Sequence, residues 1–167
     1  MTSIPEMVAL FNGFGGLSSF FLAWSEFNNL SEISLIMILS FMTVLIGGIT
    51  FSGSVVAFFK LSEILKGNNN FLNKASRWFL IFSFLFVIIA VIQVIARGLG
   101  YEFIDLALIQ KIFIALLIIS LFAGLAFVLP IGGGDMPVVI SLLNSFSGIA
   151  AASAGAVSYT HLRAHET

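Results

Sequence analysis

The chain has 167 residues, of which 59% are hydrophobic and only 9% are charged. A soluble domain carries roughly 25% charged residues, so this composition excludes a soluble globular protein and predicts an integral membrane protein. Seven Lys and Arg against eight Asp and Glu give a net charge of −1, which argues against a nucleic-acid partner. The absence of cysteine excludes disulfides, thiolate metal sites and a cysteine nucleophile.

Five apolar segments are long enough to cross a bilayer, which takes about 20 residues as a helix. They predict an all-α fold, a polytopic transmembrane bundle of about five membrane-spanning helices. The segments cover residues 6–25, 33–59, 77–97, 106–129 and 137–157. The one long polar connection predicted between them is 60–76, with KGNNN as its flexible centre.

The last ten residues, SYTHLRAHET, do not continue this apolar pattern. They resemble a translated sequencing adapter, so we expect residues 1–157 to form one transmembrane domain and residues 158–167 to be a non-native tail. His161 and His165, the two histidines of the chain, both fall in that tail and receive no role. With no other histidine and no cysteine, we predict no metal site.

Lysine and arginine predict the orientation of the chain, because cytoplasmic loops of membrane proteins are enriched in both. The connection between the second and third segments carries four of them, whereas the connection after the first segment carries only acidic charges. Residues 60–77 are therefore predicted to be cytoplasmic. By alternation, the N-terminus and the loop at 132–137 are predicted to be cytoplasmic as well.

Small and weakly polar residues recur at helical spacing in the first, second and fifth segments. Such residues let membrane helices approach closely and hydrogen-bond across the contact. We therefore predict an inner layer formed by these three segments, with the third and fourth outside. The predicted inner stripes are Ala9, Asn12, Gly16 and Ser19 in the first segment, Ser40, Thr43, Gly47, Thr50, Ser54 and Ala57 in the second, and Ser141, Asn144, Gly148, Ala151 and Gly155 in the fifth.

Asp135 follows three glycines in GGGDMP, directly before the fifth segment. The motif lacks the spacing of a phosphate-binding loop, and Pro137 suits the first turn of a helix. Three interpretations of Asp135 stay open on the residues alone. It is an acid at the positive end of a helix macrodipole, the mouth of a proton pathway, or a contact for a soluble partner domain.

Asn12 and Asn144 are two amides well inside apolar spans. Hydrogen bonds between helices, worth roughly 0.6–2 kcal/mol each, would explain either residue alone. Together with Thr50 and Ser54 on the inner faces, the two amides could instead line a narrow path that holds water. None of the four side chains titrates near neutral pH, so a proton route needs water or an ionisable group from elsewhere.

Three separated motifs carry a resemblance to a known family: IPEMVALFNGFGGL, ITFSGSVVAFFKL and GGGDMPVVISLLNSFSG. They are similar to the membrane part of the β subunit of proton-translocating NAD(P) transhydrogenase. The resemblance covers residues 3–157 in the family's order and spacing. It implies a helical membrane domain that moves a proton while hydride passes between NAD(H) and NADP(H), which bind to two soluble domains outside the membrane.

The resemblance also implies roles for individual residues. Asp135 matches the family's acid at the cytoplasmic mouth, facing the NADP(H)-binding domain. Asn144 matches the asparagine that is implicated in the proton path within the following helix, and Ser54 matches the serine of the glycine-rich inner helix. Asn12 departs from the pattern, because many members have a histidine there as the favoured proton carrier, and a histidine from a partner subunit would then be needed.

The resemblance further implies that helices precede this region and that another helix and an NADP(H)-binding domain follow it. These residues alone would then bind neither NADP(H) nor NAD(H). The implied partners are the transhydrogenase α subunit or subunits, the NADP(H)-binding domain of the same full-length chain and the lipid bilayer. A dimeric complex in a bacterial inner membrane is expected. Two other functions stay open: a secondary transporter, or a structural membrane subunit, with a polar inner helix face.

Overall fold

The computed structural model describes residues 3–28, 35–65, 70–99 and 105–164. These residues form five α-helices and no strand, and each helix is long and apolar enough to cross a membrane, as predicted. The helices are α1 (Ser3–Asn28), α2 (Leu35–Leu61), α3 (Asn70–Gly98), α4 (Leu106–Val128) and α5 (Met136–Ala164). A 3₁₀ turn at Gly133–Asp135 directly precedes α5.

Two helices are longer than the apolar segments predict. The prediction of a polar loop over 60–76 is wrong in its second half, because α3 already begins at Asn70. The fifth segment does not stop near 157 either, since α5 continues to Ala164. Neither extension contains a proline or glycine that would end a helix, so polarity alone does not interrupt the backbone hydrogen bonds.

The central helix of the bundle is α2, which packs against α1, α4 and α5. In the most apolar 18-residue stretch of the span Ile36–Leu61, 56% of the residues are buried, whereas the corresponding value for Lys74–Ala96 of α3 is 17%. Helix α3 packs mainly against α4. The predicted inner layer is confirmed for α1 and α2, whose stripes of small residues are all buried. The predicted outer place of α3 is confirmed too.

The prediction that α4 lies outside is wrong, because α4 packs directly on α2. Gly124 explains how the two backbones come together. A Cβ atom at this position would meet the carbonyl oxygen of Ile49 and would lie 2.9 Å from the backbone nitrogen of Gly53. A glycine in an otherwise bulky helix therefore lets α4 approach α2 at backbone distance.

Two apolar clusters hold the ends of the bundle. One joins the end of α1 to the starts of α2 and α4, where the rings of Phe27 and Phe113 stack at a centroid distance of 3.7 Å. The other joins the start of α1, the ends of α2 and α4 and the start of α5, around the fully buried Met136 and Leu143. The polar residues described next lie beside this second cluster.

Candidate functional site

The side chain of Asn12 on α1 contacts that of Ser54 on α2, which is the arrangement that their stripes predict. Asn12 Nδ2 donates a hydrogen bond to Ser54 Oγ at 3.3 Å. Asn12 is 7% exposed and Ser54 is 1% exposed, so both polar groups lie inside the bundle. Burial at this depth requires that polar atoms find partners within the protein or in bound water.

A glycine pair lets α1 and α2 come close enough for this contact. A Cβ atom on Gly16 would lie 2.8 Å from the carbonyl oxygen of Gly47, and a Cβ atom on Gly47 would lie 2.7 Å from that of Gly16. Either distance is shorter than a real Cβ contact. The helices therefore cross at a point where only glycine fits, one turn from Asn12.

Asn12 Oδ1 is the unusual atom of the site. It is buried, and it has no hydrogen-bond partner within the part of the chain that the structure describes. An amide oxygen accepts hydrogen bonds through two lone pairs, and leaving a buried acceptor unpaired costs about 1–3 kcal/mol. Oδ1 is therefore positioned to accept a hydrogen bond from a group that the five helices do not supply.

Ser147 on α5 is a site residue that sequence reasoning missed. Its Oγ donates to the backbone carbonyl oxygen of Asn12 at 3.3 Å, and a Cβ atom on Gly15 would lie 2.9 Å from the same Oγ. Ser147 therefore brings α5 onto α1 at the level of the Asn12–Ser54 pair. Its place three residues after Asn144, one helical turn away, is the only sequence signal that pointed to it.

Thr50 lies in the interior, and the proton of its hydroxyl is donated within its own helix. Its Oγ1 donates to the carbonyl oxygen of Ile46 in the same helix at 2.7 Å. Its Cβ would lie 2.9 Å from a Cβ atom on Gly16, so Thr50 packs at the crossing of α1 and α2. Thr50 thus contributes to helix packing beside the Asn12–Ser54 pair.

Asn144 does not lie on the inner face with Asn12 and Ser54, and that prediction is wrong for the described chain. Asn144 is exposed, and so is the rest of its stripe. The apolar residues on the opposite face of α5 fill the space against α1, α2 and α4 instead, because their larger side chains bury more apolar surface. The exposed stripe consists of Ser141, Asn144, Gly148, Ala151 and Gly155, and the buried face includes Val139, Ile140, Leu143, Ala150, Ala154 and Val157.

Asp135 lies in the turn between α4 and α5, at one end of the bundle. It is exposed, and it makes no side-chain hydrogen bond or ion pair within the described residues. Pro137 is the second residue of α5, as predicted, so the carboxylate lies at the positive end of that helix. Asp135 therefore has no side-chain capping bond, and its carboxylate is free to meet another molecule.

The structure does not bring Asp135 together with the Asn12–Ser54 pair. Twelve residues of α5 separate Asp135 from Ser147, which is about 18 Å along a helix. On the buried face of this stretch the residues are apolar, whereas Asn144 and its polar neighbour Ser145 are exposed. The polar side chains between the two ends of the site therefore lie on the outer face of α5.

Comparison with known proteins identifies the chain. The family model described as the NAD(P) transhydrogenase beta subunit matches residues 1–162. The chain belongs to this family. The NAD(P) transhydrogenase subunit beta of Rhodospirillum rubrum is 30% identical over 164 residues, which cover 93% of this chain and 33% of that protein. The same protein from a named strain of this organism matches equally well. The chain spans about a third of the length of the curated relatives it matches.

This chain is a multi-pass membrane protein, because it belongs to the transhydrogenase beta-subunit family and has five helices long and apolar enough to cross a membrane. The resemblance drawn from the three motifs is thereby confirmed. The description of the family names the dinucleotide NAD(P).

One cavity among the described residues does not fit a dinucleotide. This cavity of about 160 Å³ between α1 and α4 is smaller than ligand pockets of roughly 300–1,000 Å³. Its lining carries no positive charge for a pyrophosphate: it consists of Trp24, Phe27, Gln110, Phe113, Ile114 and Leu117. Nor do three or more His, Cys, Asp or Glu residues cluster anywhere in the described part of the chain.

Proposed function

We propose that this chain is part of the proton-conducting membrane domain of NAD(P) transhydrogenase, and that Asn12 and Ser54 bind water along the proton route. The observation that carries this proposal is the buried Asn12 Oδ1 without a partner. If the residue served packing alone, an apolar side chain of similar size would fill the space without leaving an acceptor unpaired. A water molecule at Oδ1 would satisfy the amide and extend the Asn12–Ser54 hydrogen bond.

An amide holds water but does not carry a proton, because it does not protonate at accessible pH. The proton carrier of the route is therefore a group outside the described helices. We assign it to a titratable side chain, such as a histidine, on a partner subunit. Within this chain, Asn12 Oδ1 would accept a hydrogen bond from the water, the Asn12 Nδ2–Ser54 Oγ bond holds the amide in place, and Ser147 fixes the backbone of Asn12.

The exposed face of α5 completes the route in this proposal. An asparagine that faces lipid in the middle of a span is unfavourable, and polar residues of membrane helices almost always face the interior of a bundle. We infer that helices from the rest of the complex cover the stripe that contains Asn144 and Gly148. Water between them and α5 would then connect Asp135 with the Asn12–Ser54 pair.

Asp135 is the proposed gate at the end of this route. Its carboxylate is exposed in the turn before α5, where a soluble domain can reach it. We place this end on the cytoplasmic side of a bacterial inner membrane, facing the NADP(H)-binding domain of the full-length chain. The α subunit and a dimeric complex complete the enzyme, in which NAD(H) and NADP(H) bind outside the membrane and exchange hydride. Residues 158–167 stay outside this proposal as a non-native tail.

A structural membrane subunit is the second candidate function. The close crossing at Gly16 and Gly47 favours it, because small residues alone explain that packing. The unpaired Oδ1 of Asn12 counts against it. A secondary transporter has less support, because transporter sites are typically formed by helices broken near the midplane, and α1, α2, α4 and α5 are continuous.

The test is an Asn12→Leu variant of the complete enzyme in sealed membrane vesicles. Leucine has the same branching at Cγ and removes the unpaired oxygen, so we expect proton pumping to fall far more than hydride transfer. Proton pumping is followed with a pH-sensitive dye and hydride transfer by nucleotide absorbance.

The matched control is Ser19→Ala. Ser19 lies in the same stripe of α1, and its hydroxyl donates a hydrogen bond to the carbonyl oxygen of Gly15 in its own helix. Equal pumping in the Asn12→Leu variant and the wild type would exclude the proposed water site and leave the structural role.

A further inference from the structure

The ammonium group of Lys60 is bound by the end of α4. Its Nζ donates hydrogen bonds to the backbone carbonyl oxygens of Val128 at 3.2 Å, of Leu129 at 2.5 Å, and of Ile131. An ammonium has three donors, and here each finds a different acceptor. Lys60 therefore ties the last turn of α2 to the chain that leaves α4.

These carbonyls are available because α4 ends here. The last four carbonyls of a helix have no partner within it, and the helix C-terminus carries partial negative charge. Pro130 adds no N–H donor to the turn. A lysine near the membrane surface normally extends its ammonium into water. Lys60 instead turns towards the bundle and neutralises the end of α4.

The bound carbonyls lead directly into the turn that carries Asp135. No packing restrains this turn at its glycines, since a Cβ atom on Gly133 or Gly134 would meet nothing within 4 Å. Its ends are fixed instead, by Lys60 at Ile131 and by the fully buried Met136 at the start of α5. Lys60 is therefore one of the contacts that set the position of Asp135, beside the packing of Ile131 and Met136 in the second apolar cluster.

The helix that bears Lys60 also bears Ser54, six residues earlier and less than two turns away. We propose that Lys60 is a positioning residue: it holds the 132–135 turn at a fixed place on α2, so that movement of Asp135 is passed to the Asn12–Ser54 pair. This inference rests on the proposed function, because it gives the turn a part in proton coupling. It adds Lys60 to the proposed proton route, as the link between the turn of Asp135 and helix α2.

The first measurement reports the turn and needs no activity. The chain contains no cysteine, so Gly133→Cys in a complete enzyme freed of other cysteines accepts one nitroxide spin label. In the Lys60→Met background, which keeps the length of the side chain but removes its donors, we expect the electron paramagnetic resonance spectrum to show a clearly more mobile label. The Lys74→Met background is the control, because Lys74 is exposed at the start of α3.

The second measurement is the number of protons pumped per hydride transferred in sealed vesicles. We expect this ratio to fall in Lys60→Met, because movement of Asp135 would no longer be passed to α2. Lys60→Arg, which retains charge and several donors, should restore most of the ratio. If Lys60→Met does not assemble, Lys60→Gln keeps two donors and should give intermediate label mobility and coupling.

The outcomes separate this inference from the proposed function. Wild-type mobility of the label in an assembled Lys60→Met or Lys60→Gln enzyme overturns it, and so does a freed label with unchanged coupling. A more mobile label together with fewer protons pumped per hydride in Lys60→Met supports the positioning role of Lys60. The proposed function fails separately if the Asn12→Leu enzyme pumps protons like the wild type, whatever the label at position 133 reports.

Discussion

Asn12 Nδ2 on α1 donates to Ser54 Oγ on α2 across 3.3 Å, which joins two helices whose residues lie 42 positions apart in the sequence. The contact is buried and sits one turn from the Gly16–Gly47 crossing. It leaves the other atom of the amide, Oδ1, without a partner among the described residues. The pair therefore both holds α1 to α2 and presents an acceptor to a further group.

A double-mutant cycle should separate these two roles. We expect the double variant Asn12→Ala/Ser54→Ala to lose less stability than the sum of the two single variants. The difference, the interaction energy, should be roughly 0.6–2 kcal/mol, because each single variant removes one partner of the same hydrogen bond. The measurement is thermal unfolding of the complete enzyme in detergent. Strictly additive losses would mean that the two side chains do not interact in the assembled enzyme.

The Asn12→Ala member of that cycle also has a functional expectation. Proton coupling should be perturbed without loss of hydride transfer, because hydride is exchanged outside the membrane in the proposed enzyme. Vesicle pumping and nucleotide absorbance measure the two activities side by side. If Asn12→Ala instead eliminates assembly, packing explains this residue.

Asp135→Asn should impair proton-coupled transhydrogenation while the subunits still assemble. The amide keeps the shape of the side chain but removes the charge that the proposed gate requires. The control is Asp105→Asn, since Asp105 is an exposed acid directly before α4 and makes no side-chain capping bond there. Unchanged pumping and turnover would reduce Asp135 to an acid that stabilises the start of α5.

Gly16→Ala should destabilise the complete enzyme by about 1–3 kcal/mol, because the added methyl group would lie 2.8 Å from the carbonyl oxygen of Gly47. The expected result is a lower unfolding temperature in detergent. Gly134→Ala is the matched control, since a Cβ atom at Gly134 would meet nothing within 4 Å. Equal unfolding temperatures for the two variants would contradict the close crossing of α1 and α2.

Gly148→Leu should prevent assembly of the complex while the β subunit still inserts into the membrane. The physical reason is that Gly148 is exposed here, with nothing within 4 Å of its Cβ position, but lies in the stripe that we expect other helices to cover. Native gel electrophoresis of membranes measures assembly. The control is Ala107→Leu, which adds bulk at an exposed position of α4. Normal assembly of Gly148→Leu would show that the stripe faces lipid.

Much of the fold follows from the sequence, because the length and apolarity of a segment are enough to indicate a membrane-spanning helix. All five helices were predicted, and so were the buried stripes of α1 and α2 that place Asn12 beside Ser54. Helical spacing groups residues on one face regardless of what that face contacts. The three motifs were enough to indicate the family, because their order and spacing extend over most of the chain.

Tertiary structure alone decided which neighbour each face meets. The stripe of α5 consists of small and polar residues like those of α1 and α2, yet it is exposed, because the apolar residues opposite it pack against the bundle. Ser147 belongs to the site because α5 packs against α1, where its Oγ contacts the backbone of Asn12. Lys60 contacts the end of α4 because the carbonyl oxygens there, almost 70 positions later in the sequence, accept its hydrogen bonds. Helical periodicity groups residues on one face, but only the packing of the helices determines whether that face is covered. The long side chain of Lys60 can extend in many directions, and the packed helices determine which acceptors its ammonium group meets. Within the stretch from Gly132 to Gly148, the packing of α5 leaves Asn144 exposed. The contact of Lys60 with Ile131 holds the turn that carries Asp135.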